Sequence, residues 1–263
     1  MTQVDIKPIT AGIDVGSRTT KLVIQQAGKV LRAGIRDTGI NPRHTARDLY
    51  EEVLRLANLK QNSIARLVAT GYGRNIVDFS IQSISEISCQ ARGVRHLLPH
   101  SRTVIDIGGQ DSKIILLNEQ GRVDQFFMND KCAAGTGRFL EVVATILGMT
   151  LDEISDLQPN VSGQFEINST CVVFAESEII GLLSKGERAD CIVEAVNLSI
   201  ARRIRQLLAQ SHWQPPVVFT GGVALNKGMV QALGKILDSK ITIPENSSIT
   251  GALGASLLAE ELN

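Results

Sequence analysis

One cysteine of this chain stands directly ahead of a glycine-rich turn. Residues 129–141 read Asn-Asp-Lys-Cys-Ala-Ala-Gly-Thr-Gly-Arg-Phe-Leu-Glu, so Cys132 is followed by Gly135, Thr136 and Gly137 and then by a helix pattern. The first N–H groups of a helix have no partner within the helix and lie at the positive end of its dipole, so they favour a thiolate and a bound anion. The segment predicts a thiolate at Cys132 with a phosphate site beside it. A small buried cysteine is the alternative on this segment alone.

A motif with a carboxylate, a glycine and a lysine occurs twice. Residues 13–21 align without gaps on residues 105–113, with four identities: Ile13/Ile105, Asp14/Asp106, Gly16/Gly108 and Lys21/Lys113. A carboxylate at the end of a strand, beside a turn with N–H groups, suits a phosphate that carries a cation. The repeat therefore predicts two related units that each offer one Asp and one amide-rich turn to a shared ligand.

The four cysteines have no close paired spacing, which argues against a secreted disulfide framework and a self-contained zinc site. Cys171 resembles Cys132 in preceding a helix pattern, and the potential capping hydroxyls of Ser169 and Thr170 stand before it. The remaining two lie inside helix patterns, where we expect packed or partly exposed thiols: Cys89 and Cys191.

Composition excludes two classes of partner. Lys and Arg together number 27, as do Asp and Glu, so no net charge is available to hold nucleic acid or an anionic membrane surface. The first ten residues hold no apolar run of signal-peptide length, and no apolar stretch is long enough to span a bilayer. We expect a cytoplasmic protein with neither partner.

The elements that must position these residues repeat along the chain. The patterns predict strands at 11–16, 21–26, 30–35, 64–70 and 217–220, and helices at 43–58, 86–98, 172–183, 190–209 and 249–261. Gly221 and Gly222 follow the last strand, in an arrangement that lets a nucleotide approach the backbone closely. At 263 residues the chain has room for two domains. We expect an N-terminal domain of residues 1–98, with helix 249–263 packing back on it, and a second domain of residues 99–248 that carries the chemistry of Cys132 and Cys171.

Five motifs in order, from residue 12 to about 258, resemble one family: Asp-Val-Gly-Ser, Asp-Ile-Gly-Gly-Gln-Asp-Ser-Lys, the Cys132 segment, Cys-Val-Val-Phe-Ala-Glu-Ser-Glu and Phe-Thr-Gly-Gly-Val-Ala-Leu-Asn. They resemble the ATP-dependent activators (component A) of 2-hydroxyacyl-CoA dehydratases, of the BadF/BadG/BcrA/BcrD ATPase family. The resemblance implies an α/β protein with the duplicated ribonuclease H-like fold of actin, sugar kinases and heat-shock ATPases, two similar domains around a nucleotide cleft.

The resemblance also implies a Mg²⁺–ATP site. Asp14 and Asp106 would hold Mg²⁺ directly or through water. The residues that would cradle the phosphates are Gly16, Ser17, Thr19, Thr20, Lys21, Gly108 and Gly109, with Gly135, Thr136 and Gly137 nearby. Lys113 matches Lys21, although a lysine that leaves a hairpin is more often solvated.

The remaining residues would contact the adenosine, the attacking water or the γ-phosphate. Gly221 and Gly222 would lie against the adenosine, Gln110 and Asp111 would orient the attacking water, and Asp130 would lie near the γ-phosphate. Asp130 is two residues from Cys132, so this short segment would couple the nucleotide to the thiol.

For the cysteines, the resemblance implies a homodimer that shares one [4Fe–4S] cluster, to which Cys132 and Cys171 of each subunit give two thiolates. A four-iron cluster takes four Cys ligands, and two copies supply four. On spacing alone, a cluster held by all four cysteines of one chain stays open.

The implied function is that of an ATP-driven one-electron reductase, in which ATP closes the two domains and moves the cluster helices. The electron would go to a 2-hydroxyacyl-CoA dehydratase or a related iron–sulfur reductase, and a ferredoxin or flavodoxin would supply it. One alternative is a small-molecule kinase on the same fold, which explains the glycines but not the two cysteines. Another is a non-catalytic nucleotide sensor or chaperone-like module, which needs neither cysteine.

Overall fold

The structure is a computed structural model that describes residues 7–157, 165–167 and 171–262. The chain divides into two compact units. The first unit consists of the described residues through His100, the segment Asn118–Val123 and the described residues from Ser248 onward; the second consists of Ser101–Leu117 and the described residues between Asp124 and Ser247. Within the described part of the chain, no helix combines the length and the apolar character that a membrane crossing requires.

The first unit is built on a five-stranded mixed sheet. Its strands, in spatial order, are β3 (Lys29–Asp37), β2 (Thr19–Gln26), β1 (Ile9–Val15), β4 (Arg66–Thr70) and β5 (Gln82–Ser83). The first three strands form an antiparallel meander, β4 runs parallel to β1, and β5 runs parallel to β4. The successive β2 residues 22–25 are all buried because both faces of the sheet are covered: Leu22 and Ile24 pack in one core, and Val23 packs in another.

Three helices cover these faces: α1 (Pro42–Leu56), α2 (Glu86–Leu97) and α8 (Thr250–Glu261). The side chains of Asn41 and Ser85 cap α1 and α2 by accepting hydrogen bonds from backbone N–H groups of the first turn. The C-terminal helix α8 approaches its neighbours so closely that only glycine fits at the contacts. A Cβ atom on Gly12 would collide with the Ala252 carbonyl, and one on Gly254 would collide with the Cys89 carbonyl.

The second unit repeats this sheet. Its strands, in spatial order, are β8 (Val123–Asn129), β7 (Ser112–Leu117), β6 (Thr103–Ile107), β9 (Val217–Thr220) and β10 (Ile241–Thr242). As in the first unit, the central strand β6 pairs antiparallel with the strand that follows it and parallel with a strand from much later in the chain, β9. The two copies of the sequence motif therefore occupy equivalent turns, β1–β2 and β6–β7.

The helices of the second unit are α3 (Gly137–Leu147), α4 (Leu151–Asp156), α5 (Val172–Ser184), α6 (Ala189–Leu208) and α7 (Lys227–Leu237). The long helix α6 is the centre of the core, where Ile192, Val196 and Ile200 pack with Ile105 and Phe219 of the sheet. Residues 190–201 of α6 are all buried except Glu194, so this part of the helix is enclosed by the core on all sides.

The predicted strands at 11–16, 21–26, 30–35, 64–70 and 217–220 are confirmed as β1, β2, β3, β4 and β9. The predicted helices at 43–58, 86–98, 172–183, 190–209 and 249–261 agree within about two residues with the observed ones. The two-residue strands β5 and β10 are absent from the sequence prediction, because two residues show no periodicity.

Candidate functional site

The first copy of the motif forms the β1–β2 turn. Asp14, near the end of β1, lies opposite Lys21 of β2, and Lys21 Nζ is 3.4 Å from Asp14 Oδ2. The two side chains are only 18% and 17% exposed. Lys21 is therefore an ion-pair partner of Asp14 and not a solvated surface lysine.

Two threonines brace this turn from within the unit. Thr20 is buried, and its hydroxyl lies 3.0 Å from that of Thr38, which in turn donates to the Gly16 carbonyl at 2.7 Å. Thr19 accepts a hydrogen bond from Gly16 N at 3.1 Å. Ser17 is exposed at the tip, and its N–H makes no hydrogen bond to any residue that the structure describes. The turn thus presents Ser17 outward, while the Thr20 hydroxyl has a structural role.

A glycine at the end of β4 packs against the same carboxylate. Gly71 has φ +90°, and a Cβ atom there would lie 2.5 Å from both Asp14 Oδ1 and the Val15 carbonyl oxygen. Its neighbour Thr70 is aligned with Asp14 in the parallel β1–β4 pairing. Thr70 and Gly71 are not among the predicted site residues, because this pairing joins residues that are far apart in the chain.

The second copy, the β6–β7 turn, contains an additional carboxylate. Lys113 lies opposite Asp106, and its Nζ is 2.6 Å from Asp111 Oδ2 and 3.7 Å from Asp106 Oδ2. The Lys113 side chain is 5% exposed, so the expectation of a solvated lysine is wrong here: burial on the sheet makes its ammonium depend on the carboxylates. Asp111 also lies over Gly108, where a Cβ atom would be 2.6 Å from Asp111 Oδ1.

Gly221 repeats the arrangement of Gly71. It has φ +84°, and a Cβ atom there would collide with the Ile107 carbonyl and lie 2.6 Å from Asp106 Oδ1. The preceding Thr220 is aligned with Asp106 in the β6–β9 pairing. A Thr-Gly pair therefore lies against each motif Asp. The sequence signal that would have found Gly71 is that the predicted strands at 64–70 and 217–220 both end in Thr followed by Gly. Gly222 has open space around it, and its contact with adenosine stays a prediction.

Cys132 stands directly ahead of the glycine-rich turn, as predicted, but this turn separates it from the first residue of α3, so it does not cap that helix. The Asn129 side chain brackets it, with Oδ1 accepting from Cys132 N at 3.1 Å and Nδ2 donating to Cys132 O at 2.9 Å. A single 3₁₀ turn, Ala133–Gly135, follows, and α3 begins only at Gly137 with Thr136 as its N-cap. The extended backbone of Thr136 separates the two, so the dipole of α3 acts at its own first turn.

The N–H groups of this glycine-rich turn already have partners. Gly137 N and Arg138 N donate to the carbonyl oxygens of Gly108 and Gly109 at 2.9 and 2.8 Å. The N–H groups of Gly135 and Thr136 donate within the turn, to the carbonyl oxygens of Cys132 and Ala133. The N–H groups of Gly137 and Arg138 thus hold the Gly108–Gly109 turn in place, and the phosphate site predicted at Gly135, Thr136 and Gly137 stays a prediction. Gly109 N makes no hydrogen bond to any described residue and stays open to a ligand.

Two of the cysteines are accessible, and both belong to the second unit. Cys171 is exposed as the N-cap of α5, and Cys132 is half-buried at the edge of the core. Val173 and Phe174, which follow Cys171, are 67% and 69% exposed. The proposed capping residues Ser169 and Thr170 lie outside the described residues.

The other two cysteines are packed. Cys89 and Cys191 are buried, and burial is the largest cause that raises the pKa of each thiol, to about 12 for Cys89. The nearby Asp190 carboxylate raises the pKa of Cys191 further. Neither is suited to be a thiolate ligand, because the anion would be poorly solvated.

Metal ligands are sparse in the described part of one chain, where no three His, Cys, Asp or Glu side chains come together. The Mg²⁺ ion assigned to Asp14 and Asp106 stays a prediction. Gln110 and Asp130 are exposed, as groups that meet a ligand would be.

Residues 11–259 match the BadF/BadG/BcrA/BcrD ATPase family. The chain belongs to this family. An activator of lactoyl-CoA dehydratase from Anaerotignum propionicum is 46% identical over 253 residues, which cover 96% of this chain and 97% of that protein. The family predicted from the motifs is thus confirmed.

Solved structures agree on the fold. The activator of the 2-hydroxyisocaproyl-CoA dehydratase from Clostridium difficile, with bound ADPNP, superposes with a TM-score of 0.91 at 40% identity, covering 96% of this chain and 94% of that chain. A ROK family glucokinase from Streptomyces griseus, in complex with glucose and AMPPNP, has a TM-score of 0.61 at 12% identity, covering 97% and 100%, and shows likeness of fold alone. The predicted duplicated ribonuclease H-like fold is confirmed.

Proposed function

We propose that this chain is an ATP-driven activator that passes single electrons to a 2-hydroxyacyl-CoA dehydratase or a related iron–sulfur reductase. The observation that carries the proposal is the division of the thiols in an ATPase-family chain: Cys132 and Cys171 are accessible, while Cys89 and Cys191 are buried. The function of a kinase or of a nucleotide sensor requires neither of these thiols.

Nucleotide binding is assigned to the two Asp turns. Asp14 and Asp106 would hold Mg²⁺ directly or through water, and each carboxylate has a Lys across the hairpin and a glycine behind it. The open N–H groups of Ser17 and Gly109 bind phosphate oxygens, as amides in such turns do. Lys21 is partly exposed and adds a positive charge for the phosphates.

Hydrolysis requires mainly positioning and electrostatic stabilisation. Asp111 is fixed between Lys113 and Gly108, which suits it to orient the attacking water, with the exposed Gln110 beside it. Asp130 is assigned to the surroundings of the γ-phosphate.

Coupling to the thiol follows from the hydrogen bonds of the Cys132 segment. The first amides of α3 donate to Gly108 and Gly109, and the Asn129 side chain holds both backbone groups of Cys132. A shift of the Gly108–Gly109 turn is therefore transmitted to Cys132 through short-range contacts. ATP drives such a shift only to the extent that it binds the two conformations with different affinity.

The thiols fit a [4Fe–4S] cluster shared by a homodimer. Such a cluster takes four Cys thiolates, and each chain offers two accessible ones, Cys132 and Cys171. The exposed Val173 and Phe174 beside Cys171 would be covered in the dimer. When bound, the cluster supplies low-potential one-electron chemistry, with a ferredoxin or flavodoxin as the donor.

The test uses anaerobically purified protein, a reductant and a separately purified 2-hydroxyacyl-CoA dehydratase. We expect dehydratase turnover only when ATP, reductant and this chain are all present, with no turnover when ADP replaces ATP. ATP consumption that appears only when a hydroxyl compound is added, with phosphate transferred to it, would contradict the proposal and support a small-molecule kinase.

A further inference from the structure

The two lysines of the repeated motif differ in environment. Lys21 makes one ion pair at 3.4 Å and is 17% exposed. Lys113 makes two, with its Nζ 2.6 Å from Asp111 and 3.7 Å from Asp106, and is 5% exposed. The ammonium of Lys113 therefore lies against two carboxylates of its own unit.

The difference arises from one position of the motif. Asp111 of the second copy aligns with Thr19 of the first, so only the second copy places two carboxylates beside its lysine. Both oxygens of Asp111 are constrained: Oδ2 pairs with Lys113, and Oδ1 lies over Gly108, where a Cβ atom would be 2.6 Å away. Two carboxylates at this separation from one cation would repel each other if the cation were removed.

We infer that the lysines of the duplicated motif have different tasks: Lys113 is a positioning residue that fixes Asp111 for hydrolysis and does not bind the nucleotide, whereas Lys21 is a phosphate-facing charge. This inference rests on the proposed function, because it concerns turnover of ATP. It predicts a separation of kinetic parameters that a merely structural lysine would not produce.

Substitutions of the two lysines should change different constants: kcat for Lys113, and KM and the Kd for ADPNP for Lys21. Lys113→Met should lower kcat for ATP hydrolysis by about 10- to 100-fold, the usual loss when a group that orients another is removed, with the Kd for ADPNP changed by less than about threefold. Lys113→Arg keeps the charge and should restore most of kcat. Lys21→Met should instead raise KM and the Kd for ADPNP.

Coupling to Asp111 gives the sharpest readout. If Lys113 acts through Asp111, adding Lys113→Met to Asp111→Asn should change kcat by less than about threefold, because contacting residues that act as a unit are not additive. The matched control is Lys227→Met. Lys227 also pairs with an Asp at 2.7 Å, Asp156, but both side chains are more than two-thirds exposed, at 69% and 67%. Its removal should leave kcat and KM at wild-type values.

The measurements are steady-state ATP hydrolysis and calorimetric ADPNP binding on the intact, anaerobically purified protein, with thermal midpoints recorded for every variant. Additive effects of the two substitutions, or a Lys113→Met variant with normal kcat and weakened ADPNP binding, would overturn the inference. Should Lys113→Met fail to fold, the question is decided by the same comparison on Lys113→Arg and on the double variant, in which the net charge of this group equals that of wild type. A wild-type protein without ATP hydrolysis would overturn the proposed function together with this inference, whereas additivity in an active protein overturns the inference alone.

Discussion

Replacing Gly221 by Ala should destabilise the second unit through two separate effects. The backbone of Gly221 has φ +84° and ψ 177°, a region that almost only glycine adopts and where an L-residue costs about 1–3 kcal/mol. The new Cβ atom would also collide with the Ile107 carbonyl and lie 2.6 Å from Asp106 Oδ1, and relief of such overpacking costs about 1–3 kcal/mol more. The sum is about 2–6 kcal/mol.

Two other glycines of the same unit separate these effects. Gly186 has φ +82° with nothing within 4 Å of a Cβ atom, so Gly186→Ala should show only the backbone effect of about 1–2 kcal/mol. Gly222 has neither a positive φ nor a neighbour within 4 Å, so Gly222→Ala should stay within about 0.5 kcal/mol of wild type. The expected order of destabilisation is Gly221, then Gly186, then Gly222.

The assay is thermal and denaturant unfolding followed by the fluorescence of Trp213, the single tryptophan, which packs against the core of the second unit. For a chain of this size, each kcal/mol shifts the thermal midpoint by about 2–4 °C, so Gly221→Ala should lower it by about 4–24 °C. A Gly221→Ala midpoint equal to that of Gly186→Ala would refute the close approach of Gly221 to Ile107 and Asp106.

Three further predictions concern the carboxylates. Asp14→Ala or Asp106→Ala should remove most ATP hydrolysis while the iron content stays at the wild-type value; equal activity in both variants and wild type would contradict the Mg²⁺ assignment. Asp111→Asn should keep ADPNP binding and slow hydrolysis by about 100-fold, the scale of a group that acts on the water, and lost binding with normal kcat would show a misassigned role. Hydrogen bonds from Arg188 hold the pKa of Asp190 below its ordinary value, so the ionised carboxylate stabilises the fold above the unfolded pKa of about 4 and this contribution is lost as the pH falls through the folded pKa. The difference in unfolding free energy between wild type and Asp190→Asn should therefore shrink from pH 7 toward pH 3, and a constant difference would contradict it.

Local features of the fold were predictable from the sequence. The repeat at residues 13–21 and 105–113 lies on hairpins, whose strands are adjacent in the chain, so its strand–turn–strand pattern is visible in the residues themselves. Amphipathic helices such as α1 and capped starts such as Asn41 carry their signals within one or two turns.

The features that were not predictable depend on contacts between distant residues. Gly71 contacts Asp14 only because β4 pairs with β1. The N–H groups of Gly137 and Arg138 are hydrogen-bonded, and so closed to a ligand, only because the Gly108–Gly109 turn lies against them. The spacing of residues 132–137 suggests open N–H groups, and folding supplies acceptors for them.

The burial of individual side chains is set in the same way. Lys113 has the sequence context of a surface lysine, yet it lies on a sheet strand with all six residues buried. Cys89 is enclosed where α2 meets the C-terminal helix, across a contact that requires Gly254. Such contacts separate the two accessible thiols from the two buried ones, a distinction that spacing alone left open.

The central claim is that Cys132 and Cys171 of two chains share one iron–sulfur cluster, and iron content tests it most directly. Iron and acid-labile sulfide should be measured per chain after anaerobic purification, alongside the absorption spectrum, for wild type and for single cysteine variants. The claim predicts about four irons per dimer, the number in one [4Fe–4S] cluster, in wild type, Cys89→Ala and Cys191→Ala, and almost none in Cys132→Ser or Cys171→Ser. About four irons per chain, or a cluster that survives the Cys132→Ser change, would contradict it.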